Sequence, residues 1–241
     1  MLKISKIILN ILLVALVLAI TLMWFRENKL FVIDQVKVEG NKILSYEEIL
    51  KQANLDLSKD IFEIDLDAVE ERLITHELIE DVDISRFLPS ALKIEIIEKD
   101  IIANVSESKL IAIDSKGNVI ETERYFALYD LPIITGTNLI PDSLGQLYAP
   151  PIVQEMVTIL KAIRKINLQL YHDISEINFQ RNYGILLFLR KNAIPIILGY
   201  GNYQNKMYNL SLIYNLLNKR EELLSLKSID VRFQSQVVVR N

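Results

Sequence analysis

The chain has 241 residues, 51% of them hydrophobic, with 27 Lys/Arg against 31 Asp/Glu and no cysteine. That content supplies a core beyond a single apolar helix, which excludes disorder over most of the length, and the missing thiols exclude disulfides, thiolate metal sites and a cysteine nucleophile. The net charge of −4 hides a gradient: residues 1–30 carry +3, residues 31–105 carry 8 basic and 18 acidic side chains, and residues 106–241 return to +3, so the middle segment is not a nucleic-acid module.

Residues 7–25, IILNILLVALVLAITLMWF, form 19 positions without a charge. At 1.5 Å per residue they reach roughly 28 Å, about one hydrocarbon core, and predict a transmembrane helix. The run is longer than the apolar region of a secretory signal and ends in Met23-Trp24-Phe25 rather than a small-x-small cleavage site, so an uncleaved anchor is expected. Lys3 and Lys6 on one flank face Arg26 and Lys29 on the other, so charge alone favours an inside N-terminus only slightly. The tail 1–6 is too short for a domain, which puts the working mass beyond the membrane.

Phe31–Val38 is β-branched and runs into Glu39-Gly40-Asn41, a strand followed by a turn. Ser45 and Glu48 have capping-box spacing and predict a short helix over 46–53. A second helix is expected from about 66, capped by Asp65 or Asp67, with Leu66, Val69 and Leu73 on one face. Val82–Arg86 and the alternating Leu92–Ile96 follow across Leu88-Pro89-Ser90, giving the order β-α-α-β-β.

Beyond about residue 104 the pattern changes. Leu110–Ile120 reads as a hairpin around Ser115-Lys116-Gly117-Asn118 and Leu131–Gly136 as a short extended piece. A helix over 151–166 starts at Pro151, extended segments lie near 174–180, 184–190 and 194–198, and a second helix covers about 203–218. Ser228–Phe233 and Gln236–Arg240 close the chain as a strand pair.

The runs Val38-Glu39-Gly40-Asn41-Lys42-Ile43-Leu44-Ser45, Ile64-Asp65-Leu66 and Arg86-Phe87-Leu88-Pro89-Ser90-Ala91-Leu92-Lys93-Ile94-Glu95-Ile96-Ile97-Glu98-Lys99 resemble the polypeptide-transport-associated (POTRA) domain of the bacterial cell-division proteins FtsQ and DivIB. The later order of parts, with its ID-hairpin, LP-xx-xG piece, LG strand before a helix and D-hydrophobic-R-aromatic terminal strand, resembles the β domain of FtsQ. Two positions depart from the pattern, Leu88 before the proline and Asp100 at a common proline position. The expected fold class is thus α+β: a tail 1–6, a transmembrane helix 7–25, a POTRA domain 26–103, and a larger domain 104–241 with a mainly antiparallel sheet.

Catalytic signals read better as structure. Asp65, Asp67, Glu70 and Glu71 sit where helix caps and dipoles want carboxylates, and His76 and His172 lie near element ends with no zinc ligand set. Gly199-x-Gly201 lacks the third glycine of a dinucleotide site, and the sequons at Asn104 and Asn209 are expected by chance. No enzyme activity, metal, cofactor, nucleic acid or small-molecule substrate is expected. The resemblance implies a scaffold of the division machinery in the inner membrane at the septum, with an extracytoplasmic C-terminal domain. An envelope enzyme of the wall-hydrolase kind is the alternative, and a POTRA chaperone is disfavoured because one unit occurs without a barrel. A terminal strand lacking proline leaves an open edge, where the resemblance implies strand addition by partners like FtsB/DivIC and FtsL. The candidate contact residues are Tyr200, Arg232, Phe233, Gln236, Val237, Val238, Val239 and Arg240.

Overall fold

A computed structural model describes residues 2–27, 30–106, 110–121, 130–141, 143, 145–233 and 236–241, without the side chains of 2–7, 22, 25–27 and 224. The chain divides into two compact units, Met1–Glu98 and Lys99–Asn241.

The first unit opens with helix α1, Leu2–Glu27. Apart from Asn10 and Thr21, its described side chains are apolar and exposed on every face, since Ile11, Leu12, Leu13 and Val14 step round the helix and are all more than half exposed. Among the described residues no helix is long and apolar enough to cross a membrane. The span expected over 7–25 includes Ile7, Leu22 and Phe25, whose side chains lie outside the described residues, as do the side chains of the expected tail 1–6.

Next come strand β1 (Gln35–Glu39), helices α2 (Tyr46–Ala53) and α3 (Leu66–Ile74), and strands β2 (Ile79–Phe87) and β3 (Ala91–Glu98). The sheet order is β1-β3-β2, with β1 parallel and β2 antiparallel to β3. β1 begins at Gln35 rather than Phe31 because the preceding backbone bonds to a loop instead of a strand: Ile33 N–H donates to Lys59 O and Ile61 N–H to Phe31 O. Both helix starts carry the caps the sequence specifies. Ser45 and Glu48 form a complete capping box, and Asp65, not Asp67, accepts from Ala68 N–H. Ile49, Ala53, Val69 and Leu73 of the helices pack toward Val36, Val82, Leu92, Ile94 and Ile96 of the sheet, all buried.

The motif residues of this unit serve its backbone. Gly40 has φ +87°, and a Cβ there would lie 2.0 Å from Ile96 O. The Glu98 carboxylate accepts from Ile43 N–H and Leu44 N–H at 2.9 and 2.8 Å, closing the turn that follows. Arg86 donates to Ile61 O and Ile64 O at 2.9 and 2.6 Å, holding the loop before α3. These side chains satisfy orphan backbone groups where no ladder can reach them.

The second unit contains β4 (Ile101–Ser106), β5 (Leu110–Asp114), β6 (Val119–Ile120), β7 (Ile133–Thr135), a two-stranded piece of β8 (Ile140–Pro141) and β9 (Leu147–Tyr148), α4 (Pro151–Ile166), α5 (Leu168–Asp173), β10 (Ile174–Gln180), β11 (Gly184–Leu189), β12 (Pro195–Gly199), α6 (Tyr203–Lys219), a 3-10 turn at Leu223–Ser225, β13 (Ser228–Asp230) and β14 (Val238–Arg240). The division expected between 103 and 104 would cut β4, which pairs along its length with β5 and also joins β7. The units part at Glu98 and Lys99 instead. α5 also went unanticipated. Asn167 ends α4 and caps α5, its Oδ1 accepting from Leu170 N–H, while its amide donates to Ser211 and Asn215 on α6.

Among the described residues nine strands run in the order β14-β13-β12-β11-β10-β7-β4-β5-β6. Five of the eight pairings are antiparallel and three parallel (β4 with β7, β7 with β10, β12 with β13), so the sheet is mixed. Val153, Met156, Leu160 and Ile163 of α4 and Met207, Leu210 and Tyr214 of α6 pack with Val105, Ile134, Ile177, Leu187, Ile196 and Ile229 in one core.

The histidines play local roles. His76 Nδ1 accepts from Leu78 N–H just past α3, and exposed His172 presents its carbonyl to Arg190. Asn104 is buried at 5% exposure in β4, so the folded chain offers no glycan acceptor there.

Candidate interaction edge

β13 and β14 close the sheet through three antiparallel pairs, Ser228 with Arg240, Ile229 with Val239 and Asp230 with Val238. Among the described residues β14 has β13 as its one strand neighbour. Alternate N–H and C=O groups of a strand point to opposite sides, so one row on β14 faces away from the sheet.

Side chains along β14 alternate too. Val237 and Val239 are half-buried and pack against the core, whereas Val238 shares the opposite face with Arg240. The three valines therefore split: two complete the core and one does not. Phe233 and Gln236 are exposed on either side of residues 234 and 235. The closing strand, expected from Gln236, begins at Val238.

Tyr200 sits on the turn after β12, 59% exposed; its hydroxyl donates to Arg181 O at 2.5 Å and its ring meets Phe179 edge-on at 6.4 Å. Arg232 follows β13 and folds back on Asp230, with Nε donating to Oδ1 at 2.9 Å and Nη2 to Oδ2 at 2.6 Å. The aliphatic part of Arg232 lies across Gly199, where a Cβ would come within 2.9 Å of Arg232 Cγ. Tyr200 and Arg232 are thus brought to the same end of β12 and β13.

Two residues of this region were missed from sequence. Lys206 on α6 is buried and donates to Leu198 O and Tyr200 O, both at 2.8 Å, fixing the turn that presents Tyr200. It sits in the apolar stripe beside Met207, where periodicity gives no reason to single it out. Burial lowers its pKa, and the Arg232 charge adds to that while Asp230 opposes it. Asp230 is only 3% exposed. Its burial acts to raise the carboxyl pKa, but the hydrogen bonds and charge of Arg232 outweigh it and hold the group below the usual aspartate value.

The depressed Asp230 pKa has a stability consequence whose sign follows from proton linkage. The unfolded chain binds the proton first, so the contribution is complete above about pH 4 and is lost as pH falls through the folded value. Asp230→Asn is expected to cost about 1.5 kcal/mol at pH 7, moderated because the Arg232 side chain is 41% exposed. Denaturant midpoints from pH 7 down to pH 2 should show the gap between the two proteins closing with acid; a gap that stays constant would remove the ion pair as its cause.

Residues 31–99 match the family description "POTRA domain, FtsQ-type" and residues 101–239 match "FtsQ/DivIB, C-terminal related". Cell division protein FtsQ of Geotalea daltonii is 26% identical over 213 residues, covering 87% of this chain and 76% of that protein. FtsQ of Geobacter sp. (strain M21) is 27% identical, covering 86% and 75%. Cell division protein DivIB of Clostridium tetani is 25% identical over 223 residues, covering 88% and 80%. With more than half of its length matched by the second description alone, the chain belongs to the FtsQ/DivIB family.

Proposed function

We propose that this protein is a non-enzymatic scaffold of the bacterial division machinery, tethered in the cytoplasmic membrane by α1 and holding partner membrane proteins through its second unit. The position of β14 carries the reading: a short β-branched strand at the end of a nine-stranded sheet, without proline on it. An incoming extended segment gains main-chain hydrogen bonds there, while Val238 and Arg240 on one face, with Tyr200, Arg232, Phe233 and Gln236 around it, supply side-chain selectivity. The relatives' names as cell division proteins supply the cellular process. Partners of the FtsB/DivIC and FtsL kind are the occupants proposed for the edge.

The anchor rests on the uncharged run 7–25, whose length fits a hydrocarbon core, with residues 1–6 inside and both folded units outside. A helix whose exposed side chains are apolar on all faces but for Asn10 and Thr21 offers little aqueous surface, and lipid is the solvent that suits it. Septal residence follows from the partners, not from any feature of the chain itself.

A photo-crosslinking residue placed at Gln236 or Arg240 of the full-length protein in dividing cells tests the reading. Adducts with single-pass division proteins are expected at both positions, at least tenfold above those from Val119 on the opposite edge strand β6. Equal yields from the two edges would reject β14 as the partner site.

A further inference from the structure

One end of the first unit is held together by three segments. Val32 bridges to Asp60, the Phe31 and Phe62 rings meet edge-on at 5.4 Å, Asp34 N–H donates to Ser90 O at 3.0 Å, and Arg86 ties Ile61 O to β2. From this end project Leu30, Leu57, Phe62, Phe87 and Leu88, with Phe62, Phe87 and Leu88 exposed at 57%, 65% and 61%. The carboxylates of the same loops are turned back onto them: Asp56 accepts from Ser58, Asp60 from Phe62 N–H and Asp34 from Ser90. Lys59 and Glu63 are exposed beside them, and the apolar side chains make up the rest of the tip.

The same end is where the chain arrives from α1. Only residues 28–30 separate Glu27 from Phe31, a reach of roughly 14 Å at most for a fully extended chain. We infer that this apolar tip rests in the headgroup zone of the membrane that α1 enters, as an interfacial contact between the first unit and lipid; the inference rests on the anchor reading above. The tether holds the tip against the surface at high effective concentration, so modest apolar contact is enough to seat it. Residues 31–105 carry a net −10, so attraction to anionic headgroups is not the cause. The contact is apolar, insensitive to salt on uncharged vesicles, and weakens as the anionic lipid fraction rises.

Trp24 is the sole tryptophan, which makes the test direct. The full-length protein and two single-tryptophan variants, W24F/F87W and W24F/I97W, are reconstituted into phosphatidylcholine vesicles with lipids brominated near the headgroup. Ile97 is as exposed as Phe87 but lies six residues along β3 from Ala91, the partner of Phe87, about 20 Å away. Quenching of tryptophan at 87 by about twofold is expected, with tryptophan at 97 unquenched and open to aqueous iodide. Adding L88D to W24F/F87W should abolish the quenching while circular dichroism stays unchanged. Quenching of Trp24 in the wild-type chain with none at 87, or equal quenching at 87 and 97, overturns the tip contact and leaves the anchor standing. Absence of quenching at Trp24 removes the anchor and the tip contact together.

Discussion

Gly40→Ala is expected to destabilise the first unit by about 3 kcal/mol or more. Two costs combine at this position. The residue holds φ +87°, where a side chain is strained by roughly 1–2 kcal/mol. Its Cβ would also lie 2.0 Å from Ile96 O, a backbone atom in the middle of β3 that cannot move without disturbing the pairs with β1 and β2 on either side. Gly201→Ala separates the terms, because φ is +58° there but nothing lies within 4 Å of the added atom, so about 1 kcal/mol is expected. Amide exchange reads the difference, each in its own unit: protection across β3 should fall by roughly a hundredfold in Gly40→Ala, and protection across β12 by only about fivefold in Gly201→Ala. Similar losses in both would mean that backbone strain, not the close approach to β3, keeps Gly40 in place.

That comparison also bears on why the first unit was so readable. Its signature residues each perform a local backbone task that follows from residue type: Ser45 and Glu48 close a capping box, Asp65 caps α3, and Gly40 turns where no Cβ fits. Local causes leave local marks. Arg86 and Glu98 reach across 22 to 55 residues to loop backbones, and nothing in the spacing reveals those targets. The same limit explains the second unit. Helix α4 runs over the residues its stripe predicts, Pro151–Ile166, yet the parallel neighbours of β7 and β12 depend on which strands a crossover brings together. The boundary slipped from 98 to 103 because Ile101, Ile102 and Ala103 carry no charge that marks a new unit, so the change in charge near 105 lagged behind the change in fold. At the candidate edge, alternation separated Val238 from Val237 and Val239 only once the strand's register on β13 was known. Lys206 stayed hidden because a buried lysine is recognised by the carbonyls it meets, and those of Leu198 and Tyr200 converge on it only in the folded turn.

The outward row of β14 is the feature on which partner capture by strand addition depends, and a pair of proline substitutions isolates it. Successive N–H groups along a strand point to opposite sides, so of Val238 and Val239 one donates toward β13 and the other toward solvent. Proline removes the donor at either position and crowds whatever strand lies on that side. On the inward side the loss falls on the fold: a ladder bond to β13 goes, and the melting temperature should drop by several degrees. On the outward side the fold has nothing to lose, but an added strand forfeits one main-chain bond and its close approach, about 1.5 kcal/mol or more, equivalent to a tenfold or greater weakening of capture. Val238→Pro and Val239→Pro should therefore give opposite phenotypes, one with intact melting and failed capture, the other with lowered melting. Val239 packs on the core and Val238 does not, so Val238→Ala and Val239→Ala provide the side-chain controls against which each proline is read. Capture undiminished by either proline, or lost only in the variant that also unfolds, rejects strand addition at β14 and leaves the strand with a purely structural part in closing the sheet.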